Sequence, residues 1–234
     1  MIGTIVNALA IIAGSLIGVF FKKGIPKNYN KTVMDSLSLA VILIGLLNAL
    51  KAENILLLIF SLALGSILGE FLKIEDKLEE LGNYIENKLE GKFSSEDSNI
   101  SKGFVNASLI YCIGAMAIMG ALESGLSNNH QTLFAKSIID GISAIAFTSS
   151  LGIGVLFSAI PVFLYQGIIT VSASFVKQFL IASVITDMSA VGGLLIVAIG
   201  INILEIKRIK VGNMLPAIFI PLIFHMLKSL FFAM

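Results

Sequence analysis

Apolar runs of roughly 20 residues recur along this chain and limit what it can fold into. They cover residues 2–21, 33–50, 55–72, 103–122, 137–157, 160–176, 179–204 and 212–231. About 20 apolar residues in a helix cross a hydrocarbon core some 30 Å thick. In lipid the backbone satisfies its own polar groups only as helices or closed barrels. Barrel strands would read as alternating segments of about ten residues, and these runs are continuous. The expected fold is therefore all-α: a polytopic transmembrane helix bundle of about eight spans. Composition agrees, with 56% hydrophobic residues, 13% charged residues and a mean hydropathy of +0.95. The first run begins at Met1 without a basic leader or a small-residue cleavage site, so it reads as a retained span rather than a signal peptide. A net charge of +1 gives no reason to expect nucleic acid as a partner. The lone cysteine, Cys112, has no intrachain disulfide partner.

Basic residues set the expected orientation, because Lys and Arg collect in cytoplasmic loops. With both termini outside, Lys22, Lys23, Lys27 and Lys31, then Lys73, Lys77, Lys88, Lys92 and Lys102, then Lys207, Arg208 and Lys210 fall inside. Only Lys51, Lys136, Lys177 and Lys228 fall outside. The organisation expected is a first membrane half of three spans (1–72), a cytoplasmic helix and linker (73–102), and a second half of about five spans (103–234). Ile74, Leu78, Leu81, Ile85 and Leu89 recur at spacings of three and four, which predicts an amphipathic surface helix. "GKFSSEDSN" (Gly91 to Asn99) reads as a linker.

Two internal repeats stand out. "GSLIGVFFK" (Gly14 to Lys22) and "GSILGEFLK" (Gly65 to Lys73) share their G-x-x-x-G spacing, and Gly14, Gly18, Gly65 and Gly69 are expected to let helix backbones approach closely. The same small-residue faces suggest a homo-oligomer. In the second repeat, "IVNALAIIAG" resembles "FVNASLIYCIG", and each is followed by a related segment, "KTVMDSLS" or "KSIIDGIS". Three spans separate the copies, an odd number, so the halves would be inverted-topology repeats. Asp187 and "GINIL" in the seventh run also echo Asp35 and "GLLNAL" in the second.

Aspartates inside apolar runs are expensive and usually face a cavity or a partner. Asp35, Asp140 and Asp187 are therefore candidate proton or cation ligands. Asp35 and Asp140 each follow a lysine by four residues at a span start, where an acid can also simply complement the helix dipole. "FTSSLGIG" (Phe147 to Gly154) combines hydroxyls with glycines and suggests a broken helix. Ser149, Ser150, Gly152 and Gly154, with Asn7 and Asn106, are candidate solute-binding residues; packing by small residues is the alternative. Two histidines and one cysteine form no metal-ligand pattern. The chain carries neither a Walker A motif nor G-x-S-x-G, so neither an enzyme nor a cofactor is expected.

"IGTIVNALAIIAGSLIG", "GSILGE", "CIGAMAIMGALESGL", "KSIIDGISAIAF", "GGLLIVAIGINIL" and "VGNMLPAI" together resemble a bacterial membrane-protein family catalogued as domain of unknown function 554. The resemblance runs from residue 1 to about residue 225. It implies a multi-pass protein of the bacterial cytoplasmic (inner) membrane, loosely described as a transporter, and it carries no functional residues across. The reading that follows is a secondary transporter or channel-like carrier of an unknown small solute, coupled to H⁺ or Na⁺. The alternative is a non-transporting membrane scaffold or sensor acting through the helix at 73–90.

Overall fold

The computed structural model describes residues 1–22, 27–89, 100–113, 115–176 and 180–232. The expected linker Gly91–Asn99 lies outside them. The described residues are helical or in short connections, with no strand among them. The helices are α1 (Ile2–Lys22), α2 (Lys27–Ala49), α3 (Ile55–Leu72), α4 (Ile74–Leu89), α5 (Ile100–Cys112), α6 (Ala115–Leu126), α7 (Gln131–Leu151), α8 (Gly154–Phe157), α9 (Ala159–Val176), α10 (Ala182–Ile203), a 3₁₀ helix (Gly212–Phe219) and α11 (Ile220–Phe232). Among the described residues, four helices are long and apolar enough to cross a membrane, or five if the α5–α6 pair counts as one span.

Three of the expected spans are broken, one of them within residues 147–154, where a break was expected. α5 and α6 are bent by 61° from one another. α7 stops at Leu151, ahead of the single turn α8. The last run opens as a 3₁₀ helix around Pro216, which has no N–H to donate, and becomes α-helical only from Ile220. Two helices also start earlier than hydropathy predicts, α2 at Lys27 and α7 at Gln131.

The chain divides into two compact units. The first comprises residues 1–36, 76–112 and 116–172; the second comprises 37–75, 113–115 and 173 onward.

In the first unit, α1 packs along α7, and α8 packs on α5. The faces of α1 show why. Gly3, Thr4, Asn7, Ile11, Gly14, Ser15 and Gly18 are buried, while Ile2, Ile5, Leu9, Leu16 and Phe20 point outward. Small and polar side chains lie inside and large apolar ones outside, the pattern of a helix whose far side meets lipid. A side chain at Gly14 would collide with the Gly141 carbonyl, and a Cβ at Gly18 would lie 2.6 Å from the Ile145 carbonyl oxygen. The two helices run parallel, Gly3 meeting Leu133 near one end and Gly18 meeting Thr148 near the other.

In the second unit, α3 packs against the 3₁₀ helix. Gly65 abuts Ala217 and Gly69 abuts Asn213, each too closely to admit a side chain. α2 and α10 meet antiparallel, Gly45 against Gly193 and Ser38 against Gly200. Both G-x-x-x-G copies thus have their glycine faces covered from within this chain.

Candidate functional site

The polar interior of the first unit is built on α7. Because α7 begins at Gln131, Asp140 is its tenth residue, beyond the first turn where a helix dipole acts. One turn earlier on the same face stands Lys136, whose Nζ lies 2.8 Å from Asp140 Oδ2 and 2.9 Å from Oδ1. Lys136 is 7% and Asp140 3% exposed, so this is an enclosed ion pair rather than a solvated one. Across the interface, Asn7 on α1 donates from Nδ2 to Asp140 Oδ2 at 3.0 Å. The Asn7 side chain is fully buried, and its Oδ1 has no hydrogen-bond partner among the described residues.

The next turn of α7 extends the network. Ser143 Oγ lies 3.0 Å from the Asp140 carbonyl oxygen and 3.4 Å from the hydroxyl of Tyr111, on α5. Tyr111 is 1% exposed, and its ring sits 6.3 Å from that of Phe147. A lysine, a carboxylate, a carboxamide and a phenol from three helices therefore meet inside an apolar bundle. Within it the Asp140 carboxylate is the acceptor, and Lys136 supplies its counter-charge.

The other expected residues fall elsewhere. Asp35, on α2, is exposed. Asp187 belongs to the second unit, where it accepts the Glu53 N–H at 3.3 Å. It lines a cleft of about 320 Å³ together with Glu53, His225 and Lys228. The helix break lies twelve residues beyond Asp140, about 18 Å along the α7 axis. Gly152 has φ 86° and ψ −176°, a region open essentially to glycine alone. Gly154 is pressed against the Ile100 carbonyl, and Ser149 Oγ donates to the Ala146 carbonyl at 2.8 Å. The Ser150 hydroxyl is buried with no hydrogen-bond partner among the described residues, and Asn106 is half-buried on α5.

The sequence shows Lys136 four residues before Asp140 and places it at a span start; that K-x-x-x-D spacing becomes an ion-pair spacing because both residues share α7. Tyr111 carried no comparable signal. Glu70 accepts from Asn213 Nδ2 at 2.6 Å and from Lys210 Nζ at 3.2 Å. Among the described residues no group of three His, Cys, Asp or Glu side chains is arranged to hold a metal ion.

Comparison with known proteins identifies the lineage. The family model described as Protein of unknown function (DUF554) matches residues 2–226. The chain belongs to this family. It is similar to the "Uncharacterized membrane protein YdfK" of Bacillus subtilis (strain 168), 36% identical over 226 residues and covering 94% of each chain. It is also similar to the "Uncharacterized protein YqgA" of Escherichia coli (strain K12), 30% identical over 224 residues and covering 95% of each. No solved structure matches. With these relatives and its apolar helices, this DUF554 chain is a membrane protein.

Proposed function

We propose that this protein is a secondary transporter or channel-like carrier that moves a small solute across the bacterial inner membrane, coupled to H⁺ or Na⁺. The observation that carries the reading is the enclosed Lys136–Asp140 pair held by Asn7. Charges inside a bilayer are costly, and those that persist commonly mark ion or proton paths. A bundle that needed only to pack would gain by replacing the pair with apolar side chains of similar volume.

In this reading the coupling step runs through Asp140. A proton or sodium ion arriving at the Asp140 carboxylate displaces the Lys136 ammonium, and the cluster passes from net zero to net positive charge. Lys136 can pair again only after the cation leaves. The proposal takes eight crossings with both termini outside. It also takes the inverted repeat, in which Asn7 matches Asn106 and Asp140 matches Asp35. The Asn7–Asp140 bond would then join the two copies.

The test is proton and sodium flux in proteoliposomes over a panel of small solutes. Wild type is compared with the neutral pair Lys136→Gln, Asp140→Asn, which keeps shape and hydrogen bonding without leaving an unpaired charge. Solute-dependent flux lost in the neutral pair supports the reading. Flux that survives it removes Asp140 from the coupling step.

A further inference from the structure

α9 carries a polar pair that the ion-pair cluster does not use. Its inward face in the first unit holds Val162, Gln166 and Thr170 at i, i+4 and i+8, while Phe163, Leu164, Ile168 and Val171 point outward. Gln166 is fully enclosed, and neither its Oε1 nor its Nε2 has a hydrogen-bond partner among the described residues. The same holds for Thr170 Oγ1, one turn later. Burying a carboxamide with both functions unmet is costly. A glutamine that serves as interhelical glue would be bonded to the helix it faces.

The next residue, Gly167, has Met1 beside it: a Cβ there would lie 3.6 Å from Met1 Cε. α1 presents two more unmet groups, Thr4 Oγ1 and Asn7 Oδ1, each on a fully buried side chain. Four unsatisfied hydrogen-bonding side chains from α1 and α9 thus accompany the Asp140 cluster in one unit.

We infer that Gln166 and Thr170 form a hydrogen-bonding subsite for a small neutral or zwitterionic solute. The inference rests on the transport reading above and names its substrate class. The carboxamide and hydroxyl offer both donors and acceptors without net charge. α9 carries no charged residue, so an anion or cation bound at Gln166 would find no counter-charge on this helix. The coupling cation and the solute therefore occupy different places, the first at Asp140 and the second against α9.

The experiment uses the full chain in liposomes with Cys112→Ala as background. Gln166→Cys is exposed to a charged, membrane-impermeant thiol reagent, and Val191→Cys, at a fully buried apolar position of α10, is the dry control. Labelling of Gln166→Cys faster than the control, and lost on adding glycine or urea but not sulfate, is the expected result. Labelling as slow as the control overturns the subsite. Labelling that no solute in this panel blocks, or that sulfate alone blocks, overturns the solute class. Labelling with protection but no flux in any assay upholds the subsite and overturns the transport reading. Thr170→Cys repeats the test should Gln166→Cys not fold. Gln166→Leu separates binding from architecture: an unchanged or raised melting temperature is expected, and a clear fall would make Gln166 a structural residue and overturn the subsite.

Discussion

Asn7 and Asp140 lie 133 positions apart in sequence, yet the carboxamide of one donates to the carboxylate of the other at 3.0 Å inside the bundle. Both side chains are buried, so the bond is not exchanged with solvent. A hydrogen bond to a charged group contributes roughly 1.5–3 kcal/mol. Asn7→Ala should lower stability in detergent, read from thermal melts, by that order, and Asn7→Ser, with one donor of shorter reach, by less. Equal melting temperatures for wild type and Asn7→Ala would show that Lys136 alone satisfies Asp140.

The Lys136–Asp140 pair lends itself to a double-mutant cycle. Removing one partner of a buried pair leaves a bare charge and costs about 3–5 kcal/mol, whereas replacing both with apolar groups of similar volume is often neutral or stabilising. Lys136→Met and Asp140→Leu should each reduce the yield of folded protein sharply, and the combination should recover much of it. The coupling energy, read from thermal melts of the three variants against wild type, should be large and non-additive. Additive losses would mean that each residue has a separate partner.

The glycines of α1 and α7 predict an order of tolerance. A methyl at Gly14 meets the Gly141 carbonyl head on, one at Gly18 comes within 2.6 Å of the Ile145 oxygen, and one at Gly141 stops 3.2 Å from the Ala10 oxygen. Gly14→Ala should therefore be the most damaging, Gly18→Ala next and Gly141→Ala the mildest. Gly167 on α9 has only the flexible Met1 Cε within 4 Å, at 3.6 Å. Gly167→Ala should stabilise by about 0.5–1 kcal/mol through helix propensity. Melting temperatures of the four variants in one detergent check the ranking.

These comparisons also show where sequence reasoning reached its limit. Hydropathy alone located the helices, because lipid demands long apolar runs, and the G-x-x-x-G repeats located close helix contacts. That α1 packs along α7 and α3 along the 3₁₀ helix is non-local, and no periodicity within either segment encodes its partner. The pairing of Lys136 was hidden for a related reason. The apolar run begins at residue 137, but residues 131–136 extend the helix at its N-terminal end, which turns a loop charge into an ion-pair partner. Ser149 illustrates the opposite error. A hydroxyl in an apolar helix suggests a ligand, yet it bonds to the carbonyl three residues back, as helical serines commonly do. Gln166 and Thr170 announced nothing beyond their polarity, and their lack of partners is visible only once neighbouring helices surround them.

The corner between α3 and α4 supports a last prediction. α3 ends with Lys73 in the left-handed conformation at φ 51°, which turns the chain into α4. Asn213 then holds the corner from the 3₁₀ helix: its Oδ1 accepts the Glu75 N–H at 2.7 Å, and its Nδ2 donates to Glu70 Oε2 at 2.6 Å. Glu75 returns the contact by accepting the Gly212 N–H at 2.6 Å. Glu75 caps the first turn of the 3₁₀ helix while Asn213 ties both sides of the corner. Asn213→Ala removes two bonds and leaves the Glu75 amide without its acceptor, so that amide should exchange with deuterium much faster. Glu75→Gln keeps an acceptor for Gly212 and loses only the charge, so its effect should be smaller and confined to residues 212–214. Accelerated exchange over both segments in Asn213→Ala, with folded yield retained, would establish the corner as a local latch. Unchanged exchange at Glu75 would mean that the Gly69–Asn213 backbone contact holds α3 and the 3₁₀ helix together without the side chain.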